Sequence, residues 1–288
     1  MAAKVTFIFQ GGLGNQLFQL SRALSVEFQN VDIATHFYSH RKSTPRTLAL
    51  DELLAKLEGF AKAEKMSSQI QIRLWIGRKL RKMQIPKSLI LMFLGIDFEF
   101  SDESSKRLCC FRNSMIYEGY WQRYKYVCEA EKVLLPKLLS FVGSKRVLLP
   151  ENLPHTPKLV LHIRGTDRHD LKSSKGIKDF LHSQTFDDLL HRYEVSSAVN
   201  PLIVLTDDQA LGEGILENFN DKIIFGPERA TELQALKIMT NAECVVVGNS
   251  SFAWWGSYLC KKKGGKVVLL PSDKKYPDHF VKLSESNC

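Results

Sequence analysis

The 288-residue chain has no apolar run long enough to cross a bilayer; its longest, Ser88 to Ile96, falls far short of the roughly 20 residues a spanning helix needs. The apolar run from Lys4 to Phe9 is about half the length of a secretory h-region and enters a glycine loop, so it reads as a strand, not a leader. The six cysteines (109, 110, 128, 244, 260 and 288) include no C-x-x-C pair. That speaks against a zinc site and a disulfide scaffold, and in favour of a reducing, cytoplasmic compartment. There is no internal repeat, no G-x-G-x-x-G fingerprint and no nucleic-acid-binding motif. Between residues 65 and 96 there is no acidic residue at all.

What is present is an ordinary soluble composition, 44% hydrophobic and 25% charged, with enough chain for two domains. The net charge of +9 favours a polyanionic partner such as a nucleotide sugar, an anionic membrane surface or nucleic acid. The N-terminal part opens with a strand over 4–10, the loop Gly11-Gly-Leu-Gly-Asn-Gln16 and a helix over 15–29, followed by a short apolar run at 31–34. Residues 48–63, 67–95 and 115–140 read as helices. Three prolines within 150–157 mark a linker, so the domains are expected at 1–155 and 156–288. Beyond it strands (158–164, 202–206, 222–225, 243–247, 266–270) alternate with helices (177–195, 209–218, 230–241, 251–261). That alternation implies a mostly parallel α/β sheet covered on both faces.

Three junctions carry the chemistry. Strand 158–164 ends in His162-Ile-Arg-Gly-Thr-Asp167, strand 202–206 in Thr206-Asp-Asp208, and strand 243–247 in Gly248-Asn-Ser-Ser251. Carboxyl ends of parallel strands converge on the edge where open α/β sheets bind ligands. Arg164 either clamps diphosphate oxygens bidentately or forms a domain-interface salt bridge with Asp167. Asn249, Ser250 and Ser251 open a helix, where a serine either caps the helix or, with first-turn N–H groups, holds phosphate. His162, deeper in its strand, reads as a hydrogen-bonded core histidine. Asp207 or Asp208 reads as a helix cap; a metal pair lacks a third ligand. Phe252, Trp254 and Trp255 read as packing. Gly12, Gly14 and Asn15 either bring backbone close to a ligand or make a tight turn. Seven basic residues over 65–96 (Lys65, Arg73, Arg78, Lys79, Arg81, Lys82 and Lys87) accompany Ile72, Trp75, Ile76, Leu80 and Met83 near helical spacing. Such a helix either lies on an anionic membrane or packs on the N-terminal domain with its basic face solvated.

Phe9-Gln-Gly-Gly-Leu-Gly-Asn-Gln-Leu-Phe-Gln-Leu20, Glu118-Gly-Tyr-Trp-Gln122, His162-Ile-Arg-Gly-Thr-Asp167, Leu205-Thr-Asp-Asp208 and Asn249-Ser-Ser-Phe-Ala-Trp-Trp255 together resemble bacterial α-1,2-fucosyltransferases, glycosyltransferase family 11. The first and last motifs are the specific ones. The resemblance implies a GT-B-like fold of two Rossmann-like domains with the donor site in the cleft between them. It also implies GDP-L-fucose as donor, inversion at the anomeric carbon and no cofactor or required metal. It assigns Gly12, Gly14, Asn15, His162, Arg164, Asn249, Ser250 and Ser251 to the donor and Tyr120, Trp121 and Gln122 to the acceptor side. Arg164 and Asp167 become the catalytic pair; Asp167 is a candidate base, with His169 and Asp170 behind it. Gly165 departs from the family pattern, which has a second arginine there. The expected acceptor is a galactose-terminated, lipid-linked or free glycan, reached from the cytoplasm with peripheral membrane contact and no nucleic acid. A same-fold transferase using another GDP-deoxyhexose and a non-catalytic nucleotide- or glycan-binding protein are the alternatives.

Overall fold

The computed structural model describes residues 4–25, 31–35, 50–57, 64–98, 114–150, 153–154, 156–165, 171–196, 199–271 and 276–285. The chain forms two compact units, Met1–Phe141 and Val142–Cys288.

The first unit contains β1 (Lys4–Phe9), α1 (Leu13–Ser25), β2 (Val31–Thr35), α2 (Asp51–Leu54), β3 (Glu64–Lys65), α3 (Ser68–Lys82), α4 (Lys87–Leu94), β4 (Ile96–Phe98), β5 (Ser114–Glu118) and most of α5 (Tyr124–Gly143). Its strands form one five-stranded sheet in the order β3-β2-β1-β5-β4, parallel at every pairing. β1 is buried on both faces from Val5 to Phe9, as the central strand of a parallel sheet must be. Its register partner on β5 sets Phe7 on Tyr117, with ring centroids 4.6 Å apart and planes 9° from parallel. Leu13, Leu17, Phe18 and Leu20 of α1 are fully buried, each contributing about 2 kcal/mol of apolar burial.

Three helical expectations are corrected in this unit. Residues 115–118, expected to begin a helix, belong to strand β5; Met115-Ile116-Tyr117 is a short apolar run, and its period alone does not separate strand from helix. Only α5, from Tyr124, is helical. The expected helix at 67–95 is two helices, α3 and α4. Between them Gln84 takes a φ of 60° and Pro86 stands at the N-cap of α4, where its missing N–H cannot continue α3. The expected helix at 48–63 is described only as the four-residue α2, and 48–49 and 58–63 lie outside the described residues.

The second unit contains β6 (Leu159–Ile163), α6 (Leu171–Leu181), α7 (Gln184–Arg192), β7 (Leu202–Thr206), α8 (Gln209–Ile215), β8 (Lys222–Phe225), α9 (Glu232–Asn241), β9 (Cys244–Val247), α10 (Ser251–Lys262), β10 (Lys266–Leu269) and α11 (Asp278–Glu285). Its five parallel strands run β10-β9-β6-β7-β8. Counted from β6, this is the order 5-4-1-2-3, that of a Rossmann half. β6, β7 and β9 are buried throughout. Leu159, Leu161, Ile163, Val204 and Val246 pack with Phe180, Phe186 and Leu189 of α6 and α7. The expected helix at 177–195 is likewise two, because Ser183 caps α7 by accepting from the Phe186 N–H at 3.4 Å. Lys237 of α9 donates to the carbonyls of Ser144 (3.0 Å) and Val147 (2.7 Å), and Gln234 to that of Leu148 (2.7 Å). These bonds hold 144–148 on the second unit, so that unit begins ahead of the proline-rich stretch. The α/β class and the pair of Rossmann-like units agree with the sequence expectation. No helix among the described residues is long and apolar enough to cross a membrane.

Candidate active site

Each sheet has one place where the strand order reverses, and the motifs gather at both. In the first unit the reversal lies between β1 and β5. The glycine loop leaves β1 there, and Gly119-Tyr-Trp-Gln122 leaves β5. Gly11 has a φ of +81°, which favours glycine, and a Cβ on it would come within 2.6 Å of the Asn15 side-chain nitrogen and displace it. The carbonyl of Gly12 accepts from the N–H groups of Asn15 (3.0 Å) and Gln16 (3.1 Å), closing the first turn of α1. Gln19, buried on α1, accepts from the Gln10 N–H at 3.0 Å and donates to the Gly119 carbonyl at 2.8 Å, bridging the two loops. Gln122 donates to the Asn15 side-chain oxygen at 2.7 Å. Asn15 and Gln122, expected on donor and acceptor sides, are therefore direct partners.

Two features here were not anticipated. Trp121 is buried with a φ of +54°, an uncommon conformation for a bulky residue. Its indole, with Tyr117 and Tyr126, surrounds the buried Arg22 guanidinium at 5.4, 5.6 and 4.6 Å. Tyr120 next to it is 43% exposed. Glu118, buried at the end of β5, forms an ion pair with Arg78 of α3, with Arg78 Nε donating to both carboxylate oxygens at 3.1 and 3.2 Å. An arginine amid the buried positions of α1 was the available signal for the first. Nothing local announces the second, whose partners are 40 residues apart.

In the second unit the reversal lies between β6 and β9. Arg164 leaves β6 and Gly248-Asn-Ser250 leaves β9. Arg164 Nη1 donates to Ser250 Oγ at 3.3 Å, so the structure brings together the two residues the sequence singled out. Ser250 is buried and is the N-cap of α10, its hydroxyl also accepting from the Ala253 N–H at 3.5 Å. Ser251 is the first residue of α10 and Asn249 directly precedes the cap; both are half-buried. A guanidinium, a hydroxyl and the positive end of a twelve-residue helix thus share one sheet edge, an arrangement suited to phosphate oxygens. Trp254 and Trp255 are fully buried and belong to the core, as expected.

His162 is buried and packs 5.7 Å from the Phe252 ring. Its burial agrees with the core reading, and its Nδ1 has no hydrogen-bond partner. Burial pushes its pKa down to about 4; Arg164 lowers it further and Asp207 opposes the shift. The ring is therefore neutral near pH 7. Asp207 accepts from the Gly165 N–H at 2.6 Å and so holds the backbone next to Arg164. Asp208 caps α8, accepting from Leu211 N–H at 3.0 Å. No cluster of three or more His, Cys, Asp or Glu residues suited to a metal occurs among the described residues. A Cβ on Gly165 would fall 2.6 Å from Leu211 and 2.8 Å from Asp208, so no side chain fits at 165 unless α8 moves. Asp167, His169 and Asp170 lie outside the described residues.

No family model matches the sequence, and no curated protein matches it. Among solved structures, POFUT1 in complex with GDP is similar at 10% identity, over 94% of this chain and 99% of that one, with a TM-score of 0.44. Fucosyltransferase NodZ from Bradyrhizobium is similar at 12% identity, over 90% and 93%, with a TM-score of 0.48. Heptosyltransferase WaaC from E. coli, solved with ADP, is similar at 12% identity, over 98% and 97%, with a TM-score of 0.43.

Proposed function

We propose that the protein is an inverting, metal-independent glycosyltransferase of GT-B-like build. It moves L-fucose from GDP-L-fucose to a galactose hydroxyl of an oligosaccharide or lipid-linked glycan, in α-1,2 linkage, in the cytoplasm. The observation that carries the reading is the meeting of Arg164 with Ser250 at the head of α10, on the β6/β9 switch point. The order of motifs shared with the α-1,2-fucosyltransferases supports the choice of sugar and linkage.

In this reaction the bond from the sugar anomeric carbon to the diphosphate oxygen breaks, and the electron pair leaves with GDP. The acceptor oxygen attacks the opposite face and its proton passes to a base. Arg164, the Ser250 and Ser251 hydroxyls and the first N–H groups of α10 stabilise the charge developing on the diphosphate, as donors do in an oxyanion site. Asn249 and neutral His162 complete the donor pocket of the second unit. Asp167 takes the acceptor proton in this reading. Gly12, Gly14 and Asn15 serve the donor from the first unit, and Tyr120, Trp121 and Gln122 the acceptor. In this reading the acceptor-side half is the first unit and the GDP-sugar half the second.

A second reading, another GDP-deoxyhexose as donor, is favoured by one observation. Leu211 and Asp208 crowd Gly165, so the second arginine of the family pattern has no counterpart at that position. Incubation with GDP-fucose and a panel of galactosides, followed by mass spectrometry and linkage analysis, tests both. A fucosylated galactoside formed equally well in excess EDTA is the expected result. Transfer only from a different GDP-sugar establishes the second reading, and a chain that binds GDP-fucose but neither hydrolyses nor transfers it is a binding protein.

A further inference from the structure

α3 and α4 pack on the first sheet through one side only. Leu74, Gly77 and Ile90 are buried there. Arg73 turns inward to the Leu94 carbonyl (3.1 Å) and the Ser114 hydroxyl (2.8 Å), and Arg78 turns to Glu118. On the other side of α3, Ile72, Trp75, Lys79 and Met83 follow at steps of three and four, one stripe of a helix. Ile72, Trp75 and Met83 are 59%, 58% and 70% exposed. On α4, Leu89 and Phe93 repeat the step and are 41% and 58% exposed. Five of the nine exposed large hydrophobic side chains among the described residues fall on these two helices or, for Met83, on the C-cap of α3. The Lys79 ammonium lies 4.1 Å from the Trp75 ring centroid, Lys82 and Lys87 are exposed, and residues 65–96 contain no acid.

We propose that this outer face of α3 and α4 docks on a bilayer surface rich in anionic lipid. Indole, phenyl and aliphatic groups enter the boundary between headgroups and acyl chains, while lysines next to them stay with the phosphates. The charge pattern selects this occupant. A second copy of the chain at a two-fold interface would bring the same lysines together, and like charges oppose that contact. A nucleic acid would use the charge and leave the apolar stripe in water. The Arg78–Glu118 pair ties α3 to the end of β5, next to Tyr120–Gln122. If the proposed function holds, the acceptor is then a glycan carried on a membrane lipid; the docking surface itself does not rest on that reading.

The test is co-sedimentation of the full chain with phosphatidylcholine vesicles with and without phosphatidylglycerol. Binding is expected only with phosphatidylglycerol, and it should fall as salt rises. The triple variant Lys79→Gln, Lys82→Gln, Lys87→Gln should partition roughly a hundredfold more weakly, about fivefold per lysine. The pair Trp75→Ser, Phe93→Ser should lose at least about tenfold. Both variants should keep the parent melting temperature and the parent rate of GDP-fucose hydrolysis. No binding to phosphatidylglycerol vesicles, or a triple variant that binds like the parent, overturns the proposal. So does a lipid-free dimer in ultracentrifugation that Trp75→Ser, Phe93→Ser dissolves. A parent chain that binds vesicles but never acts on GDP-fucose refutes the donor reading and leaves the docking surface standing.

Discussion

The two switch points share a topology and differ in what they offer a ligand. At β1/β5 the polar groups are mostly amides turned toward one another: Gln19 spans both loops, and Asn15 accepts from Gln122. The charges there, Glu118 and Arg22, are held by Arg78 and by three aromatic rings. At β6/β9 a guanidinium and a helix-capping hydroxyl meet, while the nearby carboxylate Asp207 is turned to a backbone N–H. A parallel sheet supplies the place for a ligand. The residue types at the strand ends then decide what it takes: uncharged amides order a loop, and a cation over a helix N-terminus takes an anion.

The largest expected effect separates the two edges most sharply. Arg164→Ala should lower kcat/KM for transfer by about a hundredfold or more, the loss typical of one oxyanion-site donor, with the melting temperature little changed. Arg164→Lys should recover little, because a point charge does not reproduce the planar fork. A variant that keeps a tenth of parental activity, a loss of only about 1.4 kcal/mol, would remove the contrast between the edges.

The next effect is confined to the second unit. His162 and His279 are both buried there, and desolvation lowers each pKa to about 4 from 6.5. Between those values the unfolded chain binds protons that the folded histidines refuse. Their contribution is therefore complete above about pH 6.5, falls as pH drops and levels off below about pH 4. A displacement of that size corresponds to roughly 3 kcal/mol per histidine. Melting followed by near-ultraviolet circular dichroism from pH 7 to about pH 4 should show that loss, and His279→Asn should flatten the profile. A profile unchanged by that substitution would contradict the prediction.

Two smaller effects concern the first unit. Arg78→Met removes the Arg78 guanidinium from the buried Glu118. The cost should be about 2 kcal/mol, between the values for exposed and buried pairs, since Arg78 is partly exposed. Adding Glu118→Gln should restore part of it in urea unfolding; an additive loss would mean the pair contributes nothing as a pair. Smallest is the Asn15–Gln122 bond, worth about 1 kcal/mol. A double-mutant cycle to alanine in the absence of ligand should return that coupling. If the coupling is zero there and appears only with donor bound, the two amides serve the ligand first and each other second, and the two edges are more alike than their contacts suggest.

Legibility followed the same division. In the second unit β7 and β8 lie at the expected residues and the remaining expected strands within a residue of them. Fully apolar runs bounded by polar turns carry their own boundaries. α11 was not foreseen. In the first unit β3 and β4 have two and three residues, too few for a pattern. β5 was hidden by the long helix that follows it. The Gln19 bridge spans 100 residues between its ends, which no local spacing encodes.

The sequence by itself determined the class of fold and the residues worth weighing, because periodicity, turn chemistry and residue type act over a few positions. Only the tertiary structure decided which of those residues meet. It set Arg164 on Ser250 by placing β6 beside β9, gave Asp207 to the Gly165 N–H, and crowded position 165 with Leu211 and Asp208. It also divided the basic segment, sending Arg73 and Arg78 inward and leaving Trp75, Lys79 and Phe93 exposed. The reason is strand order. Neighbours in a sheet are chosen by packing across tens of residues, and the chemistry at a sheet edge exists only once those neighbours are chosen.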